Sequence, residues 1–162
     1  MDVEILLEIL QALANFDVRY VIVGGVALNL HGLARATADI DIFVEPTSSN
    51  IGRLREALTS LFEDPDIALI SSDDLNGAYP AIQYIPPRGN FHIDILARLG
   101  EAFSYEEIES ELTEIEGIPA RVATPKMLYR MKRNTVRLQD KADAEKLKER
   151  FELEDEECDA HT

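Results

Sequence analysis

Asp39 and Asp41 stand on either side of a single isoleucine, inside the apolar run Ala38-Asp39-Ile40-Asp41-Ile42-Phe43-Val44. If that run is a β-strand, both carboxylates project from one face. Two acids so close repel each other and lose solvation unless a cation lies between them. A hard divalent ion meets that need. Magnesium takes one or two carboxylates and leaves its other positions to phosphate and water, and manganese can substitute. Upstream, Val21-Ile22-Val23-Gly24-Gly25 reads as a buried strand ending in a sharp turn, and the glycines let the backbone approach a ligand closely. Val26 to His31 reads as a short helix closed by Gly32 at C′. That turn aims backbone N–H groups and a helix N-terminus at the space beside the acids, which suits a phosphate. An anion cradle beside metal-binding carboxylates is a site for phosphate transfer.

Arg35 and Thr37 lie in the segment entering Asp39, where a guanidinium and a hydroxyl can make charge-assisted contacts to phosphate oxygens or remain in a solvated loop. Asp94, in Phe91-His92-Ile93-Asp94-Ile95-Leu96, is a third acid on another apolar run, sharing a strand face with His92 and Leu96. It could bridge a metal or accept the proton of an attacking hydroxyl. His31, at the end of the short helix, reads as a dipole-compatible surface residue or a local hydrogen-bond partner, and His92 as a satisfied structural histidine ahead of a nucleotide or metal neighbour. The plain reading of Asp39 and Asp41 puts them on the solvent face of an edge strand. Ile40, Ile42, Phe43 and Val44 argue against it, because they make the strand too apolar to lie open.

Val23-Gly24-Gly25, thirteen intervening residues and Asp39-Ile40-Asp41-Ile42 resemble the signature of the polymerase-β-type nucleotidyltransferase superfamily, with Asp94 in the place of that family's third carboxylate. The resemblance implies a metal-dependent enzyme. It would move an NMP from an NTP to an acceptor hydroxyl and release pyrophosphate, with Asp39, Asp41 and Asp94 as catalytic and metal-binding acids. A second resemblance, to the minimal nucleotidyltransferases of bacterial abortive-infection and toxin–antitoxin systems, is carried by Thr124-Pro125-Lys126-Met127-Leu128-Tyr129-Arg130-Met131-Lys132 and Arg137-Leu138-Gln139-Asp140-Lys141-Ala142-Asp143. It implies that Lys126, Arg130 or Lys132 neutralises triphosphate charge, that Asp140 or Asp143 orients that cation, and that an antitoxin is a partner. The likeness runs from about Leu10 to Arg150. It departs at Gly25, where many relatives carry serine, and in lacking an added helical domain, which leaves substrate choice open. Two other readings remain: a non-catalytic nucleotide-binding or antitoxin-type subunit that keeps the fold, and a purely structural interaction domain.

The elements that must hold these residues follow from periodicity. Ile5, Leu6, Ile9, Leu10 and Leu13 predict an amphipathic helix over Glu4 to Asn15, and Arg19 to Val23 is the strand that delivers the Gly-Gly turn. Pro46-Thr47-Ser48-Ser49 supplies a break and capping hydroxyls before a helix over Ile51 to Phe62. Ile67 to Ile70 reads as a strand and Ser71 to Ala78 as loop. Ala81 to Ile85 and Phe91 to Leu96 read as strands joined by Pro86-Pro87-Arg88-Gly89-Asn90. Ser104-Tyr105-Glu106-Glu107 has capping-box form and predicts a helix to about Leu112. Thr113 to Val122 predicts a hairpin around Glu116-Gly117. Thr124-Pro125 starts a helix to about Lys132, and another helix covers Leu138 to Arg150. Hairpins mixed with helices predict an α+β fold with a mixed sheet flanked by helices.

The chain of 162 residues carries a net charge of −15. Lys126 to Arg150 holds nine basic residues against four acids, and the last twelve residues hold six acids and no lysine or arginine. One domain over residues 1–150, with an acidic tail over 151–162, is the expectation. The lone Cys158 excludes an internal disulfide. No run approaches the length of a membrane span and no basic leader opens the chain, so the cytoplasm is expected. An acidic protein is poorly suited to a nucleic-acid partner, which places a protein or small-molecule acceptor ahead of tRNA.

Overall fold

The structure, a computed structural model, describes residues 2–77, 81–99, 103–133 and 138–154. The tail beyond residue 154, Arg137 and Ala78 lie outside the described residues. Two compact units form, Met1–Ala123 and Thr124–Thr162.

In the first unit, helix α1 (Val3–Asn15) is capped by Asp2, whose carboxylate accepts the N–H of Glu4 at 2.9 Å, and it buries Leu6, Ile9, Leu10 and Leu13. Strand β1 (Tyr20–Val23) is buried throughout and runs straight into α2 (Gly24–Leu30). That helix therefore starts at the glycine pair, ahead of the Val26 expected from sequence. Gly32, at φ 89°, closes it. Strand β2 (Ile40–Val44) follows, then α3 (Ser48–Thr59), whose N-cap Thr47 accepts the N–H of Asn50. The fully buried Asn50 accepts the N–H of Arg19 at 2.7 Å and donates to the carbonyls of Arg19 and Glu45, so one amide ties the start of β1 to the end of β2.

Six strands make a mixed sheet in the order β3-β4-β2-β1-β8-β7, where β3 is Ala81–Tyr84, β4 Ile93–Leu96, β7 Ser110–Ile115 and β8 Ile118–Ala123. The β1/β2, β3/β4 and β7/β8 pairs are antiparallel, whereas β2/β4 and β1/β8 are parallel. Strands β5 (Arg98–Leu99) and β6 (Phe103–Ser104) form a separate small ladder. Helix α1 packs on β8 and α3, and α2 packs on β1 and β2. Phe43, Ile22, Ile40, Ile42, Leu10, Leu13, Leu28 and Leu54 fill the core. This is the expected α+β architecture, a mixed sheet flanked by helices.

Three local expectations are corrected. Pro65–Leu69 is a 3₁₀ helix and not a strand, because Asp64 caps it and Pro65 occupies its first turn. Within the expected loop, Ser72–Leu75 forms a short helix, α4, capped by the Ser71 hydroxyl. Only Tyr105–Glu107 is helical, again 3₁₀, after Ser104. There the capping-box side chains bond each other, Ser104 Oγ to Glu107 Oε1 at 2.8 Å, so no backbone N–H is capped and the chain enters β7.

The second unit contains α5 (Pro125–Lys132), with Thr124 as N-cap and Pro125 in its first turn, and α6 (Leu138–Phe151), which pack together. Both match the sequence expectation. Among the described residues, no helix is long and apolar enough to cross a membrane.

Candidate functional site

Strands β1, β2 and β4 are neighbours at the centre of the sheet, and their register is what assembles the site. Val23 pairs with Asp41, and Asp41 pairs with Asp94. Gly24 follows Val23, so the turn, Asp41 and Asp94 fall in one row across three strands. Strand β2 is interior, and Asp41 is its one residue that is not fully buried. The reading of these acids as ornaments of an edge strand therefore fails.

Gly24 is required twice. Its φ of 71° is left-handed, and a Cβ there would overlap Oδ2 of Asp41 and stand 2.8 Å from its Cγ. A Cβ on Gly25 would lie 3.0 Å from Cβ and Oγ1 of Thr37 and 3.1 Å from Nη1 of Arg35. The segment between α2 and β2 thus folds back over the turn and brings the Arg35 guanidinium and the Thr37 hydroxyl beside it. Local bonds hold it there. The Arg35 N–H donates to Asn29 Oδ1 at 3.1 Å, and the Thr37 hydroxyl donates to the carbonyl of Asp39 at 3.0 Å.

Asp39 lies one residue before β2, outside its bounds. Its orientation is set by β4 instead. Oδ1 of Asp39 accepts the His92 N–H at 2.9 Å and lies 3.0 Å from Nδ1 of the His92 ring. The other ring nitrogen, Nε2, is 3.2 Å from Oδ2 of Asp94. The Ile40 N–H donates to the His92 carbonyl at 3.1 Å, which carries the parallel ladder one step past the strand ends. All three side chains are half-buried, His92 at 29%, Asp39 at 31% and Asp94 at 32% exposed. Sequence reading placed His92 on the strand face of Asp94 but did not place it between two acids.

The donor set fits a hard divalent ion, being anionic oxygens beside a turn with no side chain to exclude a ligand. Among the described residues no group of three or more His, Cys, Asp or Glu converges on one point as a ready-made metal cage. Asp39 and Asp94 are turned toward His92 instead. Magnesium usually takes only one or two carboxylates and completes its shell with phosphate oxygens and water, so a site of this kind is suited to an ion that arrives with substrate.

His31 ends α2 and is nearly buried, with Nε2 2.8 Å from the carbonyl of Ala123 and Nδ1 3.8 Å from Glu111 Oε1. The expectation of a surface residue or a local partner is corrected here: the ring is nearly buried and its bond reaches the end of β8, 92 residues along the chain. In the second unit, Lys126 is exposed near the start of α5, and Arg130 is half-buried one turn on. Lys132 Nζ donates to Asp140 Oδ1 and to Asp143 Oδ2, each at 3.1 Å. Lys132 is gripped by Asp140 and Asp143, and Asp143 is 1% exposed.

The model of the nucleotidyl transferase AbiEii toxin family, of type IV toxin–antitoxin systems, matches residues 8–132. The chain belongs to this family. It is accordingly a nucleotidyltransferase, and the toxin–antitoxin setting implied by its C-terminal helices is that of the family. Solved structures share the fold. A Thermotoga maritima protein assigned as a nucleotidyltransferase aligns at TM-score 0.55 and 15% identity, over 93% of this chain and 92% of its own. ANT(2″)-Ia, solved with adenylyl-2″-tobramycin, aligns at TM-score 0.55 and 16% identity over 92% of this chain and 88% of its own. A Helicobacter pylori protein assigned as a nucleotidyltransferase aligns at 0.51 and 19% over 92% and 67%. No curated protein matches the sequence.

Proposed function

We propose that this AbiEii-family chain is a magnesium- or manganese-dependent enzyme that transfers an NMP from an NTP to an acceptor hydroxyl and releases pyrophosphate, as a toxin–antitoxin component with an antitoxin as partner. The row Gly24–Asp41–Asp94 across β1, β2 and β4 carries this reading. It sets the start of α2, with the partly exposed Gly24 in its first turn, against two carboxylates, which is what a metal–triphosphate complex needs and a purely structural sheet does not.

The NTP phosphates lie on the Gly24–Gly25 turn, with the Arg35 guanidinium beside them as a hydrogen-bond donor; the Thr37 hydroxyl joins it by turning its hydrogen from the Asp39 carbonyl to a phosphate oxygen. Lys126 and Arg130 enter this reading on the family resemblance alone, as further cations for the triphosphate. Asp39 and Asp41 hold the divalent ion, with Asp94 as the third acid. When bound, that ion offsets charge on the phosphate oxygens and on the attacking and leaving groups. Asp94 takes the proton of the acceptor hydroxyl, which requires the acceptor within hydrogen-bond reach of its carboxylate. The acceptor is a protein or small-molecule hydroxyl ahead of tRNA, on the charge grounds developed in the Discussion.

The test is incubation with each labelled NTP, magnesium and cell extract, followed by identification of the labelled product. Calorimetry with manganese and a non-hydrolysable NTP runs alongside on wild type, Asp39→Asn and Asp41→Asn. Transfer of label by wild type, with metal-dependent heat lost in both variants, is the expected result. Unchanged heats in both variants would remove the site assignment. Both variants should remain folded, checked by thermal melts, so that lost heat reports on the site.

A further inference from the structure

We infer that Asn29 is a positioning residue for the triphosphate grip: its side-chain oxygen holds the Arg35 main chain so that the guanidinium reaches back to the Gly24–Gly25 turn. The inference rests on the phosphate-binding reading above. Gly25 and Asn29 are four residues apart in α2, so they share one face of the helix, a single turn or about 6 Å from each other. At one end of that span Asn29 Oδ1 accepts the Arg35 N–H at 3.1 Å. At the other, Arg35 Nη1 stands 3.1 Å from where a Cβ on Gly25 would be. The arginine side chain thus lies along α2, hung from its last turn and ending at its first. Gly25 supplies the room, because a side chain on this buried residue would press on Arg35 and Thr37.

The backbone ladder leaves this placement to a side chain. Gly32 turns the chain at φ 89°, with the Leu33 N–H on the Leu28 carbonyl at 3.0 Å. Residues 33–37 then belong to no helix or strand. An exposed asparagine in the last turn of α2 takes the Arg35 N–H in place of a strand partner. Because the donor is a backbone N–H, the accepting atom is the amide oxygen, and no protonation state enters.

Affinity for non-hydrolysable analogues of ATP, GTP, CTP and UTP is measured by calorimetry with magnesium. Wild type, Asn29→Ala, Arg35→Ala and the double variant are compared, and metal-free thermal melts run in parallel. Loss of one hydrogen bond predicts that Asn29→Ala binds the accepted analogue about two- to tenfold more weakly. Arg35→Ala, losing the guanidinium itself, should bind it at least about tenfold more weakly. A residue that acts through Arg35 has nothing left to act on once the guanidinium is gone. The double variant should therefore match Arg35→Ala within about twofold. The melt of Asn29→Ala should stay with wild type, because alanine at this exposed position favours the helix. Effects that multiply in the double variant would overturn the inference, and so would an Asn29→Ala that does not fold, since each gives the asparagine a role other than holding Arg35. Failure of wild type to bind any analogue would take down the phosphate-binding reading and this inference with it. Normal wild-type binding with an indifferent Asn29→Ala or Arg35→Ala would take down this inference alone.

Discussion

Gly24 shows how little freedom the site leaves at single positions. An L-residue in its left-handed conformation costs roughly 1–2 kcal/mol, and its Cβ must also displace the Asp41 carboxylate. Gly24→Ala should therefore lose more than about 2 kcal/mol of stability and essentially all nucleotidyl transfer, checked by urea unfolding and label transfer. An active Gly24→Ala would mean that Asp41 can move away without harm. Lys132 gives a contrasting case, in which a residue implied by resemblance also holds its own unit together. Its ammonium meets the buried Asp143 and the nearly buried Asp140, and a hydrogen bond to a charged group contributes about 1.5–3 kcal/mol. Lys132→Met should lower stability by about that amount, whereas Asp39→Asn and Asp41→Asn should not; thermal melts separate the two behaviours. The proximity of the glycines and acids was legible because their spacing is one that two strands and a turn bring side by side. His92 was not legible as Asp39's partner. The two are 53 residues apart and meet only through the parallel register of β2 on β4, which no local pattern encodes.

The elements that were legible have strong local signals. Thr124-Pro125 opens α5, Gly32 closes α2, and Glu116-Gly117 turns the β7/β8 hairpin. The misread ones are short segments where tertiary context outweighs propensity. Ile67 to Ile70 is apolar enough for a strand, but Pro65 and the Asp64 cap wind it into 3₁₀ form, with Ile67 and Ile70 inward and Leu69 exposed at 72%. A side-chain bond anchors that segment, since the Tyr84 hydroxyl in β3 donates to Asp64 Oδ2 at 2.9 Å. Burial, and then this bond to a carboxylate, raise the Tyr84 pKa above its ordinary 10.0. The folded state thus keeps a proton that the unfolded chain releases above about pH 10, and stability must fall as pH rises through that range. Tyr84→Phe should flatten the alkaline arm of a stability–pH profile; an unchanged slope would assign the loss to other groups. The hairpin offers an improvement. Glu116 and Gly117 have φ of 53° and 80°, the two positive values a type I′ turn requires, and Asn is preferred over Glu at the first. Glu116→Asn should stabilise the protein by about 0.5–1 kcal/mol, read as a higher melting temperature with transfer activity unchanged.

For the whole molecule, charge decides which acceptor is compatible with the chain. The net charge is −15, and the one strongly basic segment is Lys126 to Arg150. A nucleic-acid acceptor must be held by several phosphate contacts, each adding to the loss of affinity with salt. That segment has fewer cations to offer than its composition suggests. Lys132 is gripped by Asp140 and Asp143, Lys126 and Arg130 are assigned to the triphosphate in the proposed reaction, and Lys141 stands four residues before Glu145, a spacing that suits an ion pair along the helix. Five cations of the nine in that segment are then left unassigned, against an acidic body, few for the tight, sequence-independent grip of a typical nucleic-acid binder. The expected outcome is weak tRNA binding that falls steeply between low and near-physiological salt, measured by fluorescence anisotropy. Lys146→Ala combined with Lys148→Ala and Arg150→Ala, which takes three of these five cations, should remove most of what binding there is at low salt and leave transfer to a protein or small-molecule hydroxyl intact. Tight tRNA binding that persists at physiological salt and vanishes in the triple variant would reverse the assignment and make RNA the acceptor. The twin requirement matters, because persistence alone would leave open a contact made by the active site itself.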